Sequence, residues 1–129
     1  FLDWKFTLAD TIADFGLHGA LVVGPPCPVS ELDDVVNSLR VFTIALAKDG
    51  VKQADGAGAN VLDSPIMAAL HLVRILREQP LFAPIQAGEI VTTGTLTPAL
   101  PIRAGETWTT NPIGTPEAFV PSGIRICDQ

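Results

Sequence analysis

The sequence predicts an α+β fold rich in β-structure, and three observations predict it. Eleven glycines and eleven prolines cut the apolar residues into runs of strand length. Asp49-Gly50 stands between two such runs, where a two-residue hairpin turn belongs. One stretch only, from Ser64 to Glu78, carries helical periodicity instead. The expectation is one main helix (about 64–78) among five or six strands, in a chain of 129 residues that is one domain at most or part of a larger one.

Taken in order, "LHGALVVG" (17–24) reads as a strand stopped by "GPPCP", since proline cannot donate to a ladder. "SELDDVV" reads as a polar loop or helical turn. Leu39, Val41, Thr43, Ala45 and Ala47 then alternate with Arg40, Phe42, Ile44 and Leu46, which makes one arm of a hairpin; Val51 to Ala57 makes the other. Ser64 is the candidate N-cap of the helix, with Pro65 at its first position, where a missing N–H costs nothing. Ile66, Leu70, Val73 and Leu76 share one face, His71, Arg74 and Glu78 form a polar stripe, and Pro80 ends the segment. His71 is accordingly a solvated helix residue rather than a ligand. "GEIVTTGTLT", "AGETWTTNPIG" and "SGIRICD" supply the remaining strands.

Charge is scarce at 17%, against 47% hydrophobic residues, and the formal net charge is −6 from 14 acids and 8 bases. With no Lys/Arg run, nucleic acid is set aside as a partner. The apolar runs are broken well short of the roughly 20 residues of a membrane span, so no membrane is expected, and the opening lacks the pattern of a signal peptide. The apolar excess is then surface meant for another polypeptide, in a homo-oligomer or in the rest of one domain. Cys27 and Cys127 form no metal-type pair; two free thiols of a cytoplasmic protein are favoured over a single disulfide.

No nucleophilic triad or phosphate loop is present. "GAGAN" (56–60) reads as a tight strand-to-helix turn. Asp10 and Asp14 would share a helix face at i, i+4, a spacing open to a hard cation, although capping a turn explains them better. "TTGTLT" (92–97) has two open readings: hydroxyls and amides that hold a carboxylate, or threonines in a strand without a ligand.

Three segments together, "WKFTLADTIADFGLHGALVVG" (4–24), "GAGANVLDSPIMAALHLVRIL" (56–76) and "IQAGEIVTTGTLTPALPIRAGETW" (85–108), resemble the 2-keto-4-pentenoate hydratases and 4-oxalocrotonate decarboxylases of the fumarylacetoacetate hydrolase superfamily. The resemblance implies a mixed β-roll with flanking helices. It implies Mg2+ or Mn2+ held by a Glu-x-Glu pair and a further glutamate, all falling before Phe1, so that no metal ligand lies within this chain. Residues 1–129 would be the C-terminal part of a single domain: a fragment, a processed chain or one partner of a split enzyme, inactive alone. The ligands would come from upstream or from another chain.

The implied reaction is a lyase step on a 2-hydroxy-2,4-dienoate or other small 2-oxo acid, with water added through a metal-stabilised enolate. Decarboxylation or acylpyruvate-type C–C hydrolysis are alternatives within the superfamily, and a non-catalytic half-domain that completes an oligomer or binds an apolar acid is the alternative outside it. By match to the family's turn, Thr95 and then Thr97 donate to the substrate carboxylate. Lys5 supplies positive charge or else sits in a surface ion pair, and Asp14 orients Lys5 or a water. The family's "ADNAS" has become Ala13-Asp14-Phe15-Gly16-Leu17, which places Phe15 and Leu17 at a more apolar pocket. The family's "LGNP" has become Leu62-Asp63-Ser64-Pro65.

Overall fold

A computed structural model describes residues 2–113 and 121–127. Three α-helices, α1 (Leu8–Ala13), α2 (Val35–Val41) and α3 (Pro65–Glu78), accompany four strands, β1 (Thr43–Lys48), β2 (Val51–Ala57), β3 (Thr107–Ile113) and β4 (Ser122–Arg125). The α+β expectation holds, with the sheet ordered β2-β1-β3-β4 and antiparallel at every described pairing.

The hairpin forms where Asp49-Gly50 places it. Both residues take left-handed backbone, φ 48° and 79°, as a type I′ turn requires, and Lys48 faces Val51 across it. Asp49 also clips this turn to β3: its N–H donates to the Thr107 carbonyl and its carboxylate accepts the Thr107 N–H, each at 2.8 Å.

Leu39 to Val41 are helix and not strand, a correction to the alternation read across them. Asp34 caps α2 by accepting the Asn37 N–H at 3.1 Å, and the helix runs to Val41 before Phe42 enters the core. The first residues of such an alternation fit either element when a cap stands just upstream.

The main helix matches its expected bounds. Ser64 occupies the N-cap position, but its side chain does not cap. Fully buried, its hydroxyl donates instead to the Val36 carbonyl at 3.1 Å, tying α3 to α2. Gln79 closes the other end by bonding the carbonyls of Leu76 and Phe82 and the amides of Leu81 and Phe82. Leu70 is half exposed, whereas Ile66, Val73 and Leu76 are partly covered, so the inward stripe is narrower than predicted. His71 is exposed, as expected.

Two expected strands do not form. Residues 17–24 and 88–97 are irregular, and Val22 and Val23 stand 62% and 63% exposed. Apolar sequence makes a strand only when a neighbour takes its backbone donors and acceptors, and none of the described strands pairs with either segment. "AGETWTTNPIG" and "SGIRICD" do yield β3 and β4; Gly114 and Asp128 fall outside the described residues, as does Phe1.

The apolar stretch reaching α3 is longer than the sequence reading allowed: Gly58–Glu78 spans 21 residues at mean hydropathy 1.3. The turn at 61–64 interrupts it, and α3 itself, at 14 residues, is about 21 Å long, short of the ~30 Å hydrocarbon thickness.

Buried hydrophobic residues are few: Phe42, Ala47, Val61 and Trp108. The accessible surface is 9764 Å2, whereas a compact globular chain of 13.6 kDa exposes about 6,600 Å2. Leu8, Phe15, Leu81 and Phe82 are among the large apolar side chains left outside. Such a surface is suited to burial against further protein.

Candidate functional site

The glycine turn and the threonine segment, 36 residues apart, meet in space. Asn60 donates its side-chain amide to the Leu96 carbonyl at 3.0 Å. Gly56, at the end of β2, lies so close beneath that a Cβ there would stand 2.7 Å from the same oxygen. Gly94 packs over Val61, with a Cβ position 3.7 Å from its Cγ1. The turn itself rests on α2: a Cβ on Gly58 would overlap the Leu39 carbonyl and stand 2.8 Å from Phe42 Cε1, and the Gly58 N–H donates to the Phe42 carbonyl at 3.0 Å. "GAGAN" is thus the predicted strand-to-helix turn, with Gly58–Asn60 as one turn of 3-10 helix, and its glycines serve close approach.

This anchoring fixes Leu96 and leaves its neighbours open. Among the described residues, the amides of Gly94, Thr95, Leu96 and Thr97 and the hydroxyls of Thr95 and Thr97 make no hydrogen bond. Thr95 is exposed and Thr97 half-buried. A backbone held in place with several neutral donors unpaired is what a carboxylate with two acceptor oxygens requires. Asn60, which sequence reading did not single out, is the residue that positions the turn. Its place at the end of a glycine-rich loop was the available signal.

The opening segment contributes a second group. Thr7 and Asp10 form a reciprocal capping box on α1: the Asp10 carboxylate accepts the Thr7 N–H at 2.7 Å and its hydroxyl at 2.8 Å. These bonds, the backbone one first, hold the Asp10 carboxyl below its usual range. Asp10 is a structural cap. Asp14 ends the helix, and its carboxylate makes no hydrogen bond or ion pair among the described residues. Lys5 is exposed and makes no ion pair among the described residues. The structure does not join Lys5 to Asp14.

Phe15, Gly16 and Leu17 run consecutively through the left-handed region, at φ 49°, 76° and 62°. Phe15 is 89% exposed and Leu17 half-buried. Two non-glycine residues held in this region cost of order 1–3 kcal/mol each. Asp63 is left-handed as well, φ 69°, and pairs with Arg40 at 2.8 Å.

Beyond Thr97 the chain lines a cavity of about 510 Å3 with Ala99, Leu100, Pro101 and Ile102, faced by Trp4. The first and third of the resembling segments are therefore brought together. Glu106 then fixes the turn that follows: it accepts the Arg103 N–H at 2.9 Å, Trp108 Nε1 at 3.1 Å and Lys48 Nζ at 3.3 Å. Its carboxyl is held below the ordinary range, chiefly by the Arg103 N–H.

Among the described residues, no three His, Cys, Asp or Glu side chains gather as a cation site requires, and Cys27 and Cys127 are free.

No protein-family model matches the chain. It is 31% identical over 105 residues to a 2-keto-4-pentenoate hydratase of Paraburkholderia xenovorans, covering 81% of this chain and 36% of that protein. A 2-hydroxyhexa-2,4-dienoate hydratase of Comamonas testosteroni is 30% identical over 104 residues, 81% of this chain and 37% of the relative. The solved structure of 4-oxalocrotonate decarboxylase from Pseudomonas putida G7, complexed with magnesium and adipate, superposes at TM-score 0.78 with 25% identity, covering 98% of this chain and 44% of that one.

The fold is thus part of an α+β domain of the fumarylacetoacetate hydrolase type. The chain is a partial relative of the 2-keto-4-pentenoate hydratase and 4-oxalocrotonate decarboxylase family, spanning just over a third of the length of the curated relatives it matches.

Proposed function

We propose that these residues are the C-terminal, carboxylate-binding part of a divalent-metal-dependent lyase acting on a 2-hydroxy-2,4-dienoate or its 2-oxo form. The observation that carries the reading is the Gly94–Thr97 turn, held by Asn60 and Gly56, its amides and two hydroxyls without partners among the described residues. The hydratase relatives act on such acids by name, and the decarboxylase neighbour carries magnesium beside adipate, itself a carboxylic acid.

The described residues do not by themselves fit a cation, so Mg2+ or Mn2+ belongs in this reading to ligands outside them, upstream or on a partner chain. What this chain does is bind and orient. Thr95 and Thr97 take the carboxylate, Lys5 adds positive charge near the anion, and Asp14 orients Lys5 or a water. Phe15 and Leu17 make the substrate pocket more apolar. In the hydratase version one water adds across the dienol, its hydroxyl to C4 and the protons to carbon, to give a 4-hydroxy-2-oxo acid; decarboxylation and C–C hydrolysis reuse the same carboxylate clamp.

The 9764 Å2 of accessible surface supports the rest of the reading: a domain completed by further protein, assembled as a homo-oligomer and inactive as these residues alone. Two free thiols fit a soluble protein of the reducing cytoplasm.

In the full-length protein, Thr95→Val is expected to lower kcat/KM on 2-hydroxypenta-2,4-dienoate roughly 10- to 100-fold, the worth of one hydrogen bond to a charged group. Wild-type kinetics would remove the clamp assignment. A second reading, a non-catalytic partner that binds an apolar acid, draws on the absence of a gathered cation site among the described residues and on Phe15 and Leu17 replacing polar family positions.

A further inference from the structure

We infer that the cavity between Trp4 and Ala99–Ile102 receives the hydrocarbon tail of the acid, so that Trp4, Leu100 and Ile102 set the substrate length this protein accepts. The inference rests on the carboxylate-binding reading of the Gly94–Thr97 turn and adds to it the other end of the ligand.

The cavity, about 510 Å3, lies within the ~300–1,000 Å3 range of small-molecule sites, and all five of its described lining residues are apolar. Only Pro98 separates Thr97 from the first of them, Ala99, which is at most ~7 Å of chain. Donors therefore end where the apolar wall begins, and an acid seated on the turn has its tail beside Leu100. Trp4, 64% exposed, lines the cavity from the opening segment. Its ring meets Phe6 edge to face, with centroids 5.4 Å apart at 88°, which sets its orientation.

The neighbouring space confines the tail. Leu100 and Pro101 also line a second cavity, of about 340 Å3, together with Lys48, Arg103 and Glu106. Burying hydrocarbon against those charges would strip their hydration without return, so the tail stays with Trp4 and Ile102.

The test is calorimetric titration of the full-length protein, in the presence of Mg2+, with 2-oxopentanoate, 2-oxohexanoate and 2-oxooctanoate. Kd should fall roughly fourfold for each added methylene that is buried, about 60-fold from the shortest acid to the longest. Trp4→Ala and Ile102→Ala should each cut that ratio to below ~10, and Ile102, 57% exposed, can be truncated with little risk to folding. A wild-type ratio under about twofold, or a ratio unmoved in both variants, overturns the tail site. Thr95→Val should instead weaken all three acids alike. If no 2-oxo acid binds, or if Thr95→Val changes nothing, the carboxylate reading itself fails, and the tail site with it.

Discussion

Gly58→Ala is expected to destabilise the full-length protein by at least ~3 kcal/mol, the upper end for a small-to-large change in a packed site. The added methyl would overlap the Leu39 carbonyl and stand 2.8 Å from Phe42 Cε1. The first obstacle is backbone at the end of α2, which no rotamer change can move. Phe42 is one of the few buried hydrophobic residues, and its carbonyl is the acceptor of the Gly58 N–H, so neither partner can withdraw without opening the junction of α2, β1 and the turn. Against a total stability of ~5–15 kcal/mol, the loss should show as a markedly lower urea midpoint or as insoluble protein. A wild-type midpoint would mean that α2 and the turn do not meet as described.

Gly56→Ala should separate activity from stability. Its methyl would lie 2.7 Å from the Leu96 carbonyl oxygen and 3.0 Å from Leu96 Cβ, on an irregular segment outside the core. The segment can shift, at ~1–2 kcal/mol. The shift pulls Leu96 from Asn60 and carries Thr95 and Thr97 with it. Displacing a positioned group by about 1 Å costs on the order of 100-fold in turnover, so kcat/KM should fall by that factor while the protein remains folded. Unchanged kinetics in a folded Gly56→Ala protein would show that the turn and the threonine segment act independently.

The elements legible in the sequence were those specified by local chemistry. Asp49-Gly50 dictated its hairpin because left-handed backbone favours those residues, and Pro65 fixed the start of α3. What failed was non-local. Residues 17–24 and 88–97 have strand composition, yet a strand exists only with a partner, and none of the described strands pairs with either segment. Ser64 read as a cap, but tertiary contact gave its hydroxyl to Val36.

The site was legible in the same uneven way. Thr95 and Thr97 are candidates through resemblance alone, and the structure adds what anchors Leu96 between them: Asn60 and Gly56, far away in sequence. Asp10 was correctly weighed as a cap, since Thr7 stands three residues before it. The left-handed backbone at Phe15 and Leu17 had no sequence signal of its own.

The central claim is that this chain supplies the carboxylate clamp of a divalent-metal lyase. Its most direct test is turnover of 2-hydroxypenta-2,4-dienoate by the full-length protein before and after treatment with EDTA. The account predicts conversion to the 4-hydroxy-2-oxo acid, or loss of CO2 from a corresponding dicarboxylate, abolished by EDTA and restored by Mg2+ or Mn2+. Turnover indifferent to EDTA, or an intact metal-loaded protein that turns over neither acid, would contradict it, the latter in favour of the non-catalytic partner.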